Sequence, residues 1–294
     1  FTFIGVMGTV LFPLWLYQGI EQMKYILIIN VMIRSITVIM IFVIVRTEND
    51  YLLLAVLYTI THLVIGTIGL IFAIRKFAIK YKLPSSNDLL EHLKKGWNLF
   101  LSTIWINLYT TSNVFILGLF APNNIVGYYA AADKIRIAFQ GVLSSMSQSV
   151  FPYVSKLLSE SYERFISFNK KLLRIALSAG LVISITLFLF AEPIVNIVLG
   201  KDYEQSIPVL RIIAWLPVTI FLSNVYGIQT MLPLNKHKSF SAILFFAALI
   251  NLTLAFILVP GYFAIGTSVA VLITEIFVTV SFFIFLRKKS VKLI

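Results

Sequence analysis

The chain has no cysteine, three histidines and only 12 acidic residues among its 294. Without cysteine there is no disulfide framework, no thiolate nucleophile and no zinc–thiolate cluster. His62, His92 and His237 are too scattered along the sequence to suggest a metal centre. No G-x-x-x-x-G-K-S/T phosphate cradle, H-E-x-x-H helix or serine-hydrolase elbow occurs either. No cofactor or metal is therefore expected, and the chain reads as a non-enzyme. Energy is expected from an ion gradient or a substrate gradient rather than from ATP bound by this chain.

Charge of both signs is scarce. Only 12% of residues are charged and 59% are hydrophobic, with a mean hydropathy of +0.94. A soluble domain carries roughly 25% charged residues, so these values describe an integral membrane protein. A membrane span needs about 20 apolar residues, and such runs fall near 1–17, 25–45, 51–74, 97–120, 126–155, 172–191, 206–232, 239–260 and 263–286. An all-α, polytopic bundle of nine helices is expected. The first run already begins at Phe1 with no basic n-region before it, which reads as a truncation within a helix.

The 24 basic residues give a net charge of +12, and 18 of them cluster in alternate connections, including Arg75–Lys95, Lys156–Arg174 and Arg287–Lys292. The opposite loops hold only Arg46 and Lys201. Under the positive-inside rule the basic loops and the C-terminus are cytoplasmic. A nucleic-acid surface would instead gather the charge on a soluble face.

The polar stretch Arg75–Lys95 carries Pro84, Ser85 and Ser86 before an Asn87/Asp88 helix start, which suits a linker. Three regions are expected: 1–76 as the second half of an N-terminal lobe, 77–96 as a cytoplasmic linker, and 97–294 as a six-helix C-terminal lobe. The segments Gly19-Ile20-Glu21-Gln22-Met23 and Gly227-Ile228-Gln229-Thr230-Met231 each lead into two apolar runs closed by Arg-Lys. This modest repeat implies two lobes crossing the membrane in the same sense, about twelve helices in all, with some three preceding Phe1.

Against this apolar background, the few charges inside spans stand out. A charge at a helix centre in the bilayer costs on the order of 3 kcal/mol. Arg34 sits roughly 15 Å from either end of its span, too deep for its stem to reach the surface, and no acidic residue lies within a turn. It reads as anion-facing, against a buried structural ion pair. Within Gly127–Gly141, Asp133 and Arg136 are three apart and can neutralise each other, whereas Lys134 points about 100° away and stays unpaired. Interfacial snorkelling is the bland alternative there.

Gln140, Ser144, Ser145, Ser147 and Gln148 continue down that helix, and Thr103, Asn107, Thr110 and Thr111 share a face of its predecessor. Such stripes suit sugar hydroxyls or serve as interhelical glue. Glu275 and His62 are lone ionisable groups with the chemistry to carry a coupled proton or sodium ion, although a neutral imidazole is satisfied by one backbone partner.

The runs FPLWLYQGIEQMKY (12–25), FILGLFAPNNIVGYYAAADK (115–134), SQSVFP (147–152) and GIQTM (227–231) resemble the bacterial polysaccharide flippases of the Wzx type. The resemblance covers the whole chain and implies the multidrug, oligosaccharidyl-lipid and polysaccharide exporter superfamily, with twelve helices in two lobes. It further implies translocation of undecaprenyl-pyrophosphate-linked oligosaccharide repeat units across the inner membrane, by alternating access and ion coupling. Arg34 and Lys134, then Arg136 and Asp133, are the matching positions.

The expected ligand contacts are Arg34, Lys134, Arg136, Asn107 and Gln148, and the expected ion-coupling residues are Asp133 and Glu275. The expected partners are the lipid-linked oligosaccharide, the membrane and other polysaccharide assembly proteins. The alternatives are a multidrug or lipid II exporter, whose drug-binding form would favour an acidic cavity, and a membrane-embedded polymerase or glycosyltransferase. The latter would want a large extracytoplasmic loop, and the longest here, Glu192 to Ser206, is short.

Overall fold

A computed structural model describes residues 3–20, 22–47, 50–77 and 85–291, without the side chains of 51, 142–146 and 148. It contains no strand among the described residues, and it divides into two helical units, Phe1–Ser85 and Ser86–Ile294.

Pro13 sets the first break of unit 1. Proline lacks an N–H and pushes the preceding residue out of helical backbone, and Phe12 is extended at φ −74°, ψ 110°. The apolar run expected as one span is therefore two short helices, α1 (Ile4–Leu11) and α2 (Leu14–Gly19). They are followed by α3 (Met23–Ile44) and α4 (Tyr51–Phe77).

Helix α1 crosses α4 where neither bears a side chain. A Cβ at Gly66 would lie 2.1 Å from the Gly8 carbonyl oxygen, and one at Gly8 would lie 2.2 Å from that of His62. Between membrane helices, such close approach through small residues takes the place of a hydrophobic drive. The fully buried Tyr17 donates its hydroxyl to the Gly69 carbonyl at 2.7 Å, and the Thr37 and Thr61 hydroxyls share a 2.7 Å hydrogen bond. These contacts fix α2 and α3 to α4.

Unit 2 opens with α5 (Ser86–Thr110), which starts inside the stretch expected as a linker, one residue before Asn87. Then come α6 (Ser112–Phe120), α7 (Asn123–Glu160), α8 (Tyr162–Leu189), α9 (Ala191–Val198), α10 (Ser206–Ile213) and α11 (Leu216–Tyr226). A π-helical turn, Gly227–Met231, follows, and α12 (His237–Lys288) closes the unit.

Helix α12 is two antiparallel limbs. The chain reverses at Phe263 (φ 46°, ψ −122°), so that Asn251 Nδ2 lies 3.3 Å from Thr274 Oγ1. A straight helix would hold those residues about 34 Å apart. The same reversal stacks Phe240 on Phe282 at 5.2 Å, and Gly227 leaves room for the pair, since a Cβ there would come within 2.7 Å of both rings.

Among the described residues, six segments are long and apolar enough to cross a membrane: Met23–Ile44, Leu52–Phe77, Ser86–Phe120, Tyr162–Leu189, Ser206–Met231 and His237–Lys288. This makes the chain an all-α, multi-pass membrane protein. The count differs from the nine expected runs for local reasons. Pro13 shortens the first, α12 contains the last two, and α7, although 38 residues long, carries Asp133, Lys134, Arg136 and several serines.

Unit 2 holds two apolar clusters. One gathers Leu117, Tyr129, Ile135, Leu187, Leu210 and Val259; the other gathers Tyr109, Val154, Phe165, Met231, Leu244 and Phe282. Along α7, the stretch between Ile135 and Val154 carries Arg136, Gln140 and Ser147. On α12, Asn251 falls between Leu244 and Val259. A polar layer thus separates the two clusters.

Candidate functional site

Asp133, Arg136, Gln140 and Ser147 are spaced by three, four and seven along α7, so they share one face over about 21 Å. Arg136 Nε donates to the Asp133 carboxylate at 2.7 Å, with side chains 12% and 25% exposed. Its Nη1 donates to Gln140 Oε1 at 2.5 Å. From the second limb of α12, Glu275 enters the same neighbourhood. It is 4% exposed, and its electrostatic neighbours are Tyr109 of α5 and Arg136. An isolated buried carboxylate is expensive; Arg136 pairs directly with Asp133, and Glu275 feels its charge without an ion pair among the described residues.

Gln140 connects this charged group to a cavity of about 120 Å³ among α7, α8, α11 and the π turn. Its polar wall is Gln140, Ser147, Asn224 and Gln229, and Phe221 and Leu172 are among the apolar residues that complete it. Ser147 and Asn224 are joined by a side-chain hydrogen bond, and Gln229 Nε2 donates to both the hydroxyl and the carbonyl of Ser147 at 2.9 Å. Gln229 is 2% exposed, yet its amide oxygen has no hydrogen-bond partner among the described residues.

The π turn is what places Gln229 here. Thr230 bonds back to the Val225 carbonyl five residues earlier, and Asn169 of α8 donates to the Gln229 carbonyl at 3.4 Å. Single π turns inside helices are frequent at functional sites.

A sequence profile of the family described as "Polysaccharide biosynthesis protein" matches residues 1–158. A "Putative O-antigen transporter" of Escherichia coli (strain K12) is 34% identical over 286 residues, covering 97% of this chain and 69% of that protein. The chain belongs to the polysaccharide biosynthesis protein family.

Other relatives of this polysaccharide biosynthesis protein agree. A "Putative O-antigen transporter" of Shigella dysenteriae is 34% identical, covering 94% of this chain and 69% of that one. The "Capsular polysaccharide biosynthesis protein CapF" of Staphylococcus aureus is 24% identical, with coverages of 94% and 70%. In three dimensions the chain is similar to an outward-facing multidrug resistance MATE family transporter of the MOP superfamily. The TM-score is 0.63 at 15% identity, over 81% of this chain and 56% of that one. That likeness shows the fold alone.

Of the residues singled out in this polysaccharide biosynthesis protein's sequence, Asp133 and Arg136 meet directly and Glu275 lies within electrostatic reach of Arg136. Lys134 is exposed, with no ion pair among the described residues. In unit 1, Arg34 is likewise exposed and unpaired among the described residues, at the middle of α3. Asn107 is exposed on α5 beside Thr103 and Thr110, whose hydroxyls bond their own helix backbone. The side chain of Gln148 lies outside the described residues. His62 Nδ1 donates to the Tyr58 carbonyl at 2.7 Å, the backbone partner that a neutral imidazole needs. Tyr109, Asn224 and Gln229 were not among the expected site residues. Tyr109 and Asn224 show in the sequence only as polar tips within apolar runs, whereas Gln229 lies in the GIQTM run that the repeat and the resemblance both pick out.

Proposed function

We propose that this polysaccharide biosynthesis protein is a flippase of the bacterial inner membrane. It moves undecaprenyl-pyrophosphate-linked oligosaccharide repeat units, of O-antigen or capsule, from the cytoplasmic to the periplasmic leaflet by alternating access. The observation that carries this reading is the polar layer of α7, which sets a charged group beside a neutral cavity between two apolar clusters of a membrane bundle. Charge at that depth is seldom kept without a use.

Lys134 and Arg34, both exposed cations, are the proposed contacts of the pyrophosphate. Arg136 is held by Asp133 and Gln140 and supplies positive potential from behind, while Asn107 and Gln148 contact the sugars. Asp133 and Glu275 are the proposed ion-coupling carboxylates, since a proton or cation on either one changes the charge beside Arg136 by one unit. Helices α4 and α12 both end in basic residues, Arg75-Lys76 and Arg287-Lys288, which supports a cytoplasmic C-terminus. Other polysaccharide assembly proteins are proposed partners.

The test is complementation of a strain lacking the gene. Lys134→Ala and Arg34→Ala are expected to abolish surface polysaccharide at unchanged protein level. Intact polysaccharide in both variants overturns the assignment.

A further inference from the structure

We infer that the cavity bounded by Gln140, Ser147, Asn224 and Gln229 is the subsite that holds an uncharged sugar of the lipid-linked substrate, with Asn224 and Gln229 as its specificity-determining residues. This rests on the flippase reading and extends it to residues not otherwise assigned a role. Among the described residues no charged side chain lines the cavity, which suits a neutral ligand. Three amides and a hydroxyl line it and can donate and accept, as sugar hydroxyls require, and Phe221 adds apolar surface for ring C–H groups.

Two further observations point to a ligand. The Gln229 amide oxygen is buried without a partner among the described residues, and a buried acceptor left open in a folded protein calls for a donor. Gln140 both accepts from Arg136 and lines the cavity, so the charged group and the neutral cavity adjoin along a single helix face.

The experiment measures binding to the full chain in detergent by thermal shift. The probes are undecaprenyl pyrophosphate carrying one neutral N-acetylated hexose, and undecaprenyl pyrophosphate without sugar. The wild type is expected to bind the sugar-bearing carrier about tenfold more tightly than the bare one. Gln229→Leu and Asn224→Leu are each expected to erase that tenfold gain while keeping the bare-carrier affinity, which also certifies that they fold.

A gain retained in either folded variant overturns the subsite. Equal binding of the two carriers by the wild type also overturns it, and leaves a cavity filled by ordered water. Binding of neither carrier by the wild type overturns the flippase reading itself. If Gln229→Leu does not fold, Ser147→Ala with Asn224→Leu decides by the same comparison.

Discussion

Arg136 donates to Asp133 at 2.7 Å, one turn away on the same face of α7, and Glu275 of α12 lies within its electrostatic reach. This pairing shifts the search for an anion ligand toward cations that have no such partner. It also makes Arg136 a stability determinant. Arg136→Ala leaves Asp133 without its cation and is expected to cost about 3 kcal/mol, whereas Asp133→Asn with Arg136→Gln is expected to lose less than the sum of the single changes. Denaturant unfolding of the five proteins (wild type, Arg136→Ala, the two single changes and the double variant) in detergent checks both; additive losses would show that the residues do not act as a pair.

Gly66 tests the packing of unit 1. A Cβ there meets the Gly8 carbonyl oxygen at 2.1 Å, whereas a Cβ at Gly19 meets nothing within 4 Å. Gly66→Leu is expected to destabilise by about 3 kcal/mol through overpacking, with Gly19→Ala near neutral. Equal melting temperatures for the two variants would refute the α1–α4 crossing.

Much of this architecture was legible in the sequence, because hydropathy and charge spacing report directly on membrane helices. The reversal near Phe263 fell between two expected runs, and the self-pairing of Asp133 and Arg136 followed from a three-residue spacing. The break at Pro13 was less legible, since an apolar run does not say where its helix stops. The cavity was harder still. Gln229 matters because a π turn rotates it toward Ser147, 82 residues away, and no local pattern encodes that contact. The repeat motif likewise hid a difference, for Gly227 makes room for two phenyl rings whereas Gly19 has open space.

Asp50 provides a test by pH outside the membrane spans. Its carboxylate accepts from the Arg46 and Thr47 backbone N–H groups, which hold its pKa below the usual carboxylate value. A depressed folded-state pKa contributes stability that is present above the unfolded value and lost as pH falls through the folded one. Wild type is therefore expected to melt above Asp50→Ala at neutral pH, and the difference is expected to vanish on acidification. A difference that is constant with pH would contradict the assignment.

Glu275 is the proposed seat of ion coupling. In proteoliposomes, Glu275→Gln is expected to abolish acceleration of transport by an imposed proton or sodium gradient while leaving downhill exchange intact. Full acceleration by both gradients in the variant would exclude Glu275 from coupling.

The most direct measurement of the central claim is translocation itself. Full-length protein is reconstituted with a fluorescent undecaprenyl-pyrophosphate-linked oligosaccharide, and the fraction protected from a membrane-impermeant glycosidase is followed over time. Wild-type protein is expected to accelerate loss of protection over empty liposomes, and Lys134→Ala to return it to the empty-liposome rate. Equal rates with and without wild-type protein would contradict it.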